Sequence, residues 1–111
     1  MGLNLDFPPT YKISKKALER VKKEILADTK GTLMILKAVS HPTRLRILRA
    51  LRVKELCVCI FVELMGQRYS RLSYHLKFLR EAKLVDYRKE ENFLIYRLTK
   101  LGKSVLKSLE A

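Results

Sequence analysis

Arg68-Tyr69-Ser70-Arg71-Leu72-Ser73-Tyr74-His75-Leu76-Lys77, continuing into Phe78-Leu79, is the stretch whose reading decides the fold. Steps of about 100° per residue bring Leu72, Leu76 and Leu79 within about 60° of one another, a stripe that a helix buries. Ser70, Tyr74 and Lys77 fall on the opposite side, flanked by Ser73 and Arg71. Hydroxyls, a phenol and cations on one exposed face suit phosphates and base edges. Arginine reads guanine bidentately, and serine or tyrosine donates to phosphate or base. Gln67 and Arg68 lie just before the helix, placed to hold the backbone. The bland alternative is a solvated helix face, and the charge balance and the segment that follows both weigh against it.

That following segment switches to two-residue alternation. Leu84-Val85-Asp86-Tyr87-Arg88, a polar turn at Lys89–Asn92 and Phe93-Leu94-Ile95-Tyr96-Arg97-Leu98 read as a β-hairpin. Arg88, Lys89 and Asn92 are its candidate backbone contacts and Arg97 a weaker one. Tyr87, Phe93 and Tyr96 read as sheet packing.

Upstream, Ser14 can cap a helix to about Ala27 that carries Leu18, Val21 and Ile25 on one face. Gly31 breaks the chain, and the nearly all-apolar Thr32–Val39 reads as a buried helix. Pro42 suits the first turn of a helix to about Arg52, with Leu45, Leu48 and Leu51 inward and Arg44, Arg46, Arg49 and Arg52 mostly outward. A further helix is expected from Glu55–Cys59 to Met65-Gly66. Lys100 to Leu109 closes the chain as an amphipathic helix with Leu101, Val105 and Leu109 on one side. The expected architecture is mainly α with a small β-hairpin wing, a winged helix-turn-helix. Residues 1–13 read as an N-terminal arm and 14–111 as the winged helix-turn-helix DNA-binding domain.

The chain has 111 residues, enough for one modest core, and 48% of them are apolar. Its 24 Lys and Arg against 11 Asp and Glu leave a net charge of +13, which points to a polyanionic partner. Nucleic acid leads over an acidic membrane, because no apolar run approaches the roughly 20 residues that span a bilayer. The start, Met1-Gly2-Leu3-Asn4-Leu5-Asp6, lacks a signal-peptide pattern and, after Gly2, the Ser or Thr four residues on that favours myristoylation, so a cytoplasmic location is expected.

Both cysteines fall in Glu55-Leu56-Cys57-Val58-Cys59, next to the reading helix. In a reducing compartment this spacing suggests ligand or redox chemistry rather than a structural disulfide. Thiolates favour soft or thiophilic ions. Two residues of a regular helix at this spacing point about 200° apart, so gripping one ion would require unwinding the helix start. Oxidation to a strained disulfide and inert packing as small hydrophobes remain the alternatives. His75, beside the leucine stripe, reads as a packing histidine, and His41 as local punctuation before Pro42.

Lys37-Ala38-Val39-Ser40-His41-Pro42-Thr43-Arg44-Leu45-Arg46-Ile47-Leu48, the Glu55–Cys59 run and Ser73-Tyr74-His75-Leu76-Lys77-Phe78-Leu79 resemble the ArsR/SmtB family of metal-sensing repressors. Leu84-Val85 through Leu98 is similar to that family's wing, so the resemblance runs from about Leu33 to Leu98. It implies a homodimer on double-stranded palindromic operator DNA, repressing transcription until an inducer loosens it. It implies Cys57 and Cys59 as inducer ligands, and the first and last helices as the dimer interface. With no obligatory cofactor, the inducer is expected to be As(III), Sb(III) or another thiophilic metal ion. Departures from the family pattern are Ile60 in place of an acidic residue and Val62 where some arsenic sensors carry a third cysteine. The arm lacks the cysteine of cadmium and lead sensors, and the last helix lacks the Asp/His set of zinc sensors.

The competing expectations are a redox-responsive or ligand-independent winged-helix regulator, and a non-specific basic architectural protein with steep salt dependence. An enzyme is not expected, since no nucleophile–base pairing or glycine-rich phosphate loop is present.

Overall fold

Three helices in this chain begin at side-chain caps. Ser14 holds extended backbone and its Oγ accepts from the Ala17 N–H at 3.1 Å. His41 Nδ1 accepts from the Thr43 N–H at 3.1 Å, with Pro42 in the first turn. Thr99 Oγ1 accepts from the Gly102 N–H at 3.0 Å. Each cap satisfies a donor that a helix start leaves orphaned, for about 1 kcal/mol.

The computed structural model describes residues 7–110. Within them run α1 (Lys15–Leu26), α2 (Lys30–Val39), α3 (Pro42–Val53), β1 (Leu56–Cys57), α4 (Val58–Met65) and α5 (Tyr69–Glu81). Then come β2 (Val85–Glu90), β3 (Phe93–Leu98) and α6 (Lys100–Leu109). The strands form one antiparallel sheet in the order β1-β3-β2. Val85 faces Leu98 and Glu90 faces Phe93, while β1 sets Leu56 against Tyr96 and Cys57 against Ile95. This is a mainly α winged helix-turn-helix with a small sheet as its wing. The first six residues of the expected arm, and the signal and acylation readings made on them, lie outside the described residues, as does Ala111.

The core is the predicted leucine stripe and what packs on it. Leu72, Leu76 and Leu79 of α5 are wholly buried with Ile47 and Leu48 of α3, Phe61 of α4, Leu84, Val85 and Leu106. Each such leucine contributes about 1.5–3 kcal/mol of burial. Gly102 lets α6 lie directly on the Leu84 backbone, since a Cβ there would run into the Leu84 carbonyl.

Five expectations are corrected. Gly31 does not break the chain: α2 starts at Lys30, after Asp28 Oδ1 accepts the Lys30 N–H at 3.3 Å. A glycine in a first turn costs less than one in a helix interior, where its backbone freedom is fully lost. Glu55–Cys57 is not helical, because Leu56 and Cys57 pair with β3 and α4 begins only at Val58. The hairpin turn is tighter than Lys89–Asn92, the strands continuing to Glu90 and resuming at Phe93, with Glu91 left-handed at φ 56°.

The apolar α2 buries only Ala38, leaving Leu33, Met34 and Leu36 exposed, because nothing among the described residues covers that face. Arg44 points inward: it is 8% exposed, on the α2 carbonyls and His75. The molecule measures 65 × 25 × 22 Å, and α1 buries none of its residues.

Candidate nucleic-acid interface and thiol pair

The turn into α5 is built by Gly66, which caps α4 with left-handed backbone (φ 63°) and donates its N–H to Val62 at 3.1 Å. Arg68 is then extended, and its carbonyl accepts the Arg71 and Leu72 N–H groups at 3.1 Å each. With Leu72, His75, Leu76 and Leu79 turned inward, Ser70, Arg71, Ser73, Tyr74 and Lys77 are all exposed on one side. No acidic residue occurs in α5 before Glu81. Hydroxyls and cations on a rigid helix, free of competing carboxylates, suit a polyanion.

The remaining sequence-selected residues are placed unevenly. Arg68 is exposed beside this face, but Gln67 is half-buried and its amide donates to Thr43 Oγ1 at 3.2 Å. That bond joins α3 to the α4–α5 turn, while Gln67 Oε1 is buried with no partner among the described residues. On the wing, Lys89 and Asn92 are exposed near the tip. Arg88 is held by Glu90 at 3.2 Å and Glu55 at 3.5 Å, and Arg97 by Asp86 at 2.7 Å. Asp86 keeps the Arg97 guanidinium above its ordinary pKa. Tyr69, 55% exposed at the first turn of α5, was not singled out from the sequence; its place one turn ahead of Ser73 was the available signal.

The cysteines sit at a junction rather than on one helix. Cys57 ends β1 with extended backbone (ψ 145°) and forms the N-cap of α4, while Cys59 lies in the first turn. The change of backbone brings the sulfurs together, the Cys59 thiol donating to Cys57 Sγ at 2.7 Å. That hydrogen bond first, and burial second, raises the Cys59 thiol above its ordinary pKa. Both cysteines are free, Cys59 exposed and Cys57 half-buried. They open into a hollow walled by Val62 and Glu63 of α4, Tyr69 of α5, and Asn92 and Phe93 of the wing. Among the described residues no group of three or more His, Cys, Asp or Glu is placed to hold a metal ion. The pair by itself offers two soft ligands. No described helix is long and apolar enough to cross a membrane.

Comparison with known proteins agrees with this fold. The model of the arsR family of bacterial regulatory proteins matches residues 41–87, from the cap of α3 into the first wing strand. A cadmium resistance transcriptional regulatory protein CadC homolog from Staphylococcus aureus is 31% identical over 91 residues, covering 80% of this chain and 74% of that protein. An arsenical resistance operon repressor from Staphylococcus xylosus is 42% identical over 64 residues, covering 58% of this chain and 62% of that one. Across these and a further curated relative, the chain spans 46% to 74% of the relative's length. A homodimeric winged helix-turn-helix DNA-binding domain from Mycobacterium bovis superposes with a TM-score of 0.65 at 26% identity, covering 75% of this chain and 82% of that one. With its fold, the family model and the extent of the cadmium-regulator match in agreement, the chain belongs to the ArsR family, whose matched relatives are transcriptional regulators and not enzymes.

Proposed function

We propose that the protein is a cytoplasmic, homodimeric repressor that holds double-stranded operator DNA with α5 and the wing. A thiophilic metal(loid), arsenite or its antimony counterpart, acts at Cys57 and Cys59 to loosen that hold. The observation that carries this reading is the thiol hollow, because its walls include both Tyr69 of the reading helix and Asn92 and Phe93 of the wing. A ligand bound there touches both elements that face DNA.

The chemistry balances without a redox step. Arsenous acid exchanges two of its hydroxyl groups for the two sulfurs, and each departing hydroxide leaves as water with one thiol proton. The third hydroxyl stays on arsenic, where Val62 offers no thiolate. Because Cys57 is already extended and faces Cys59, the helix start need not unwind, contrary to the expectation for two helical cysteines. Bonding one arsenic replaces the thiol–thiol hydrogen bond and moves the β1–α4 junction, which is paired to β3 through Ile95. Release follows to the extent that the ligand binds the shifted form more tightly.

Dimerisation is supported by the uncovered apolar surface. Ile25 and Leu26 of α1 are 72% and 71% exposed, and Leu33 and Leu36 of α2 and Leu109 of α6 are also exposed. The homodimeric neighbour points the same way. A palindromic site then mirrors the two-fold axis.

The test is a labelled promoter fragment bound by reduced protein and challenged with arsenite, cadmium, zinc or a mild oxidant. Arsenite is expected to release the DNA, and a complex that survives every challenge contradicts the reading. The close approach of the sulfurs favours one second reading, oxidation of the pair by a peroxide-type oxidant, and selective release in the oxidant arm identifies it. Absence of any palindrome preference would instead indicate an architectural protein.

A further inference from the structure

Arg44 ties three elements together. Its Nε donates to the Ala38 carbonyl at 2.8 Å and its Nη2 to the Lys37 carbonyl at 2.9 Å, both near the end of α2. Nη1 lies 3.3 Å from Nδ1 of His75 on the inner side of α5, and the guanidinium lies 4.1 Å above the Phe78 ring. Arginine donates and never accepts, so His75 must accept through Nδ1 and carry its proton on Nε2. A neutral His75 is therefore a requirement of the contact.

The surroundings oppose the charged form. His75 is 3% exposed. From α3 it faces Arg44 and, at the cap, the ring of His41 at 4.5 Å. From α5 it faces Arg71 and the Tyr74 ring at 5.3 Å. From α2, the Lys37 and Ala38 carbonyls hold the Arg44 that faces it. Among the described residues no carboxylate pairs with it. Burial foremost, then His41, Arg44 and Arg71, lowers its pKa from the ordinary value. Protonation would remove the acceptor and set a second cation against Arg44.

We infer that Arg44 and His75 form a proton-operated clasp that seats the reading helix against α2, and that protonating His75 opens it and weakens operator binding without the thiols. The inference rests on the DNA-binding reading above, but the residues and the trigger are separate from those of Cys57 and Cys59. Arg44 and His75 act as positioning residues, since neither reaches the exposed face of α5.

The experiment measures operator affinity by fluorescence anisotropy from pH 7.5 to pH 5.5. Wild type is expected to weaken at least about fivefold, because one proton per protomer is taken up as the clasp opens. His75→Asn, which keeps a neutral acceptor near Nδ1, is expected to hold wild-type affinity at pH 7.5 and change less than about twofold across the range. His41→Asn, which preserves the α3 cap but removes a group that opposes charge on His75, should keep a fall that is moved toward higher pH, and the Cys57→Ser/Cys59→Ser pair should keep the wild-type fall. An equal fall in His75→Asn, or its loss in either control, overturns the clasp.

Nitrogen NMR of the imidazole in free wild-type protein decides the matter independently of DNA and of how the variants fold. A bare Nδ1 at pH 7.5 that gains its proton only below about pH 6.5 supports the clasp. An imidazole charged at neutral pH, or with its proton on Nδ1, overturns it. Failure to bind any operator at any pH defeats the repressor reading instead, and leaves the clasp to the imidazole titration.

Discussion

Cys57 Sγ and Cys59 Sγ lie 2.7 Å apart although Cys57 belongs to a strand and Cys59 to a helix. The switch from extended to helical backbone between them turns two sulfurs that a continuous helix would point apart into a facing pair. It also places the pair where α4, the reading helix and the wing meet. The thiols are thereby adjacent to both α5 and the wing, which sequence spacing alone does not convey.

On the proposed DNA-facing side of α5, Lys77 and Arg71 carry different expectations. Lys77→Ala is expected to weaken binding to all sequences alike and to lower the salt slope of log K by about 1, the signature of one lost phosphate contact. Arg71→Ala is expected to cost about 1–3 kcal/mol on the preferred site and relax preference at one base position. Competition binding at several salt concentrations checks both. A Lys77→Ala slope equal to wild type removes that residue from the interface.

The apolar surface of α1 predicts the assembly state. Replacing Val21 and Ile25 together by serine should leave the monomer folded, because neither is buried within its own chain. Sedimentation should then show a dimer dissociating at concentrations where wild type stays intact, and affinity for a palindrome should fall toward that for a half-site. An unchanged dimer moves the interface away from α1.

Two backbone positions carry opposite expectations for stability. Lys83 follows α5 in left-handed conformation (φ 63°), with its N–H on Arg80 at 2.9 Å and the Leu84 N–H on Leu79 at 3.0 Å. Glycine is the residue this cap prefers, so Lys83→Gly should raise stability by about 0.5–1 kcal/mol in urea unfolding. Gly102→Ala should lower it by about 1–3 kcal/mol, because the added methyl meets backbone that cannot rotate away.

His75 also makes stability depend on pH in a defined direction. Its folded pKa lies below the ordinary value, so the unfolded chain takes up the proton first. The neutral-histidine contribution is complete above about pH 6.5 and declines as pH falls below it toward the folded value. Thermal unfolding between pH 7.5 and 5.5 should show a falling midpoint in wild type and a smaller fall in His75→Asn.

Much of the fold was legible because its signals are local. The Leu72/Leu76/Leu79 stripe, the Ser14 cap, the Pro42 start, the alternation on both sides of the wing turn and the bounds of α6 each depend on residues within a few positions. What escaped depends on partners distant along the chain. Arg44 shares its helix with three other arginines and periodicity does not set it apart. It turns inward because α2 ends with two carbonyls in reach and His75 offers a third acceptor.

The two-residue strand at Leu56 and Cys57 exists only because Tyr96 and Ile95 lie across from it. The apolar run of α2 reads as burial, yet among the described residues nothing covers it. The exposure of Ser70, Arg71, Ser73, Tyr74 and Lys77 was legible from their spacing on one helix face. The commitment of Gln67 to Thr43 and of Arg88 to two carboxylates was not, since both depend on tertiary contacts.

The most direct test of inducer release sets wild type beside the Cys57→Ser/Cys59→Ser variant on the same labelled operator, reduced and titrated with arsenite. Both proteins should bind with the same affinity before arsenite is added, since the thiols lie off the exposed face of α5. Wild type should then release its DNA while the variant stays bound. Release of both, or of neither, would contradict a repressor whose hold is governed at Cys57 and Cys59.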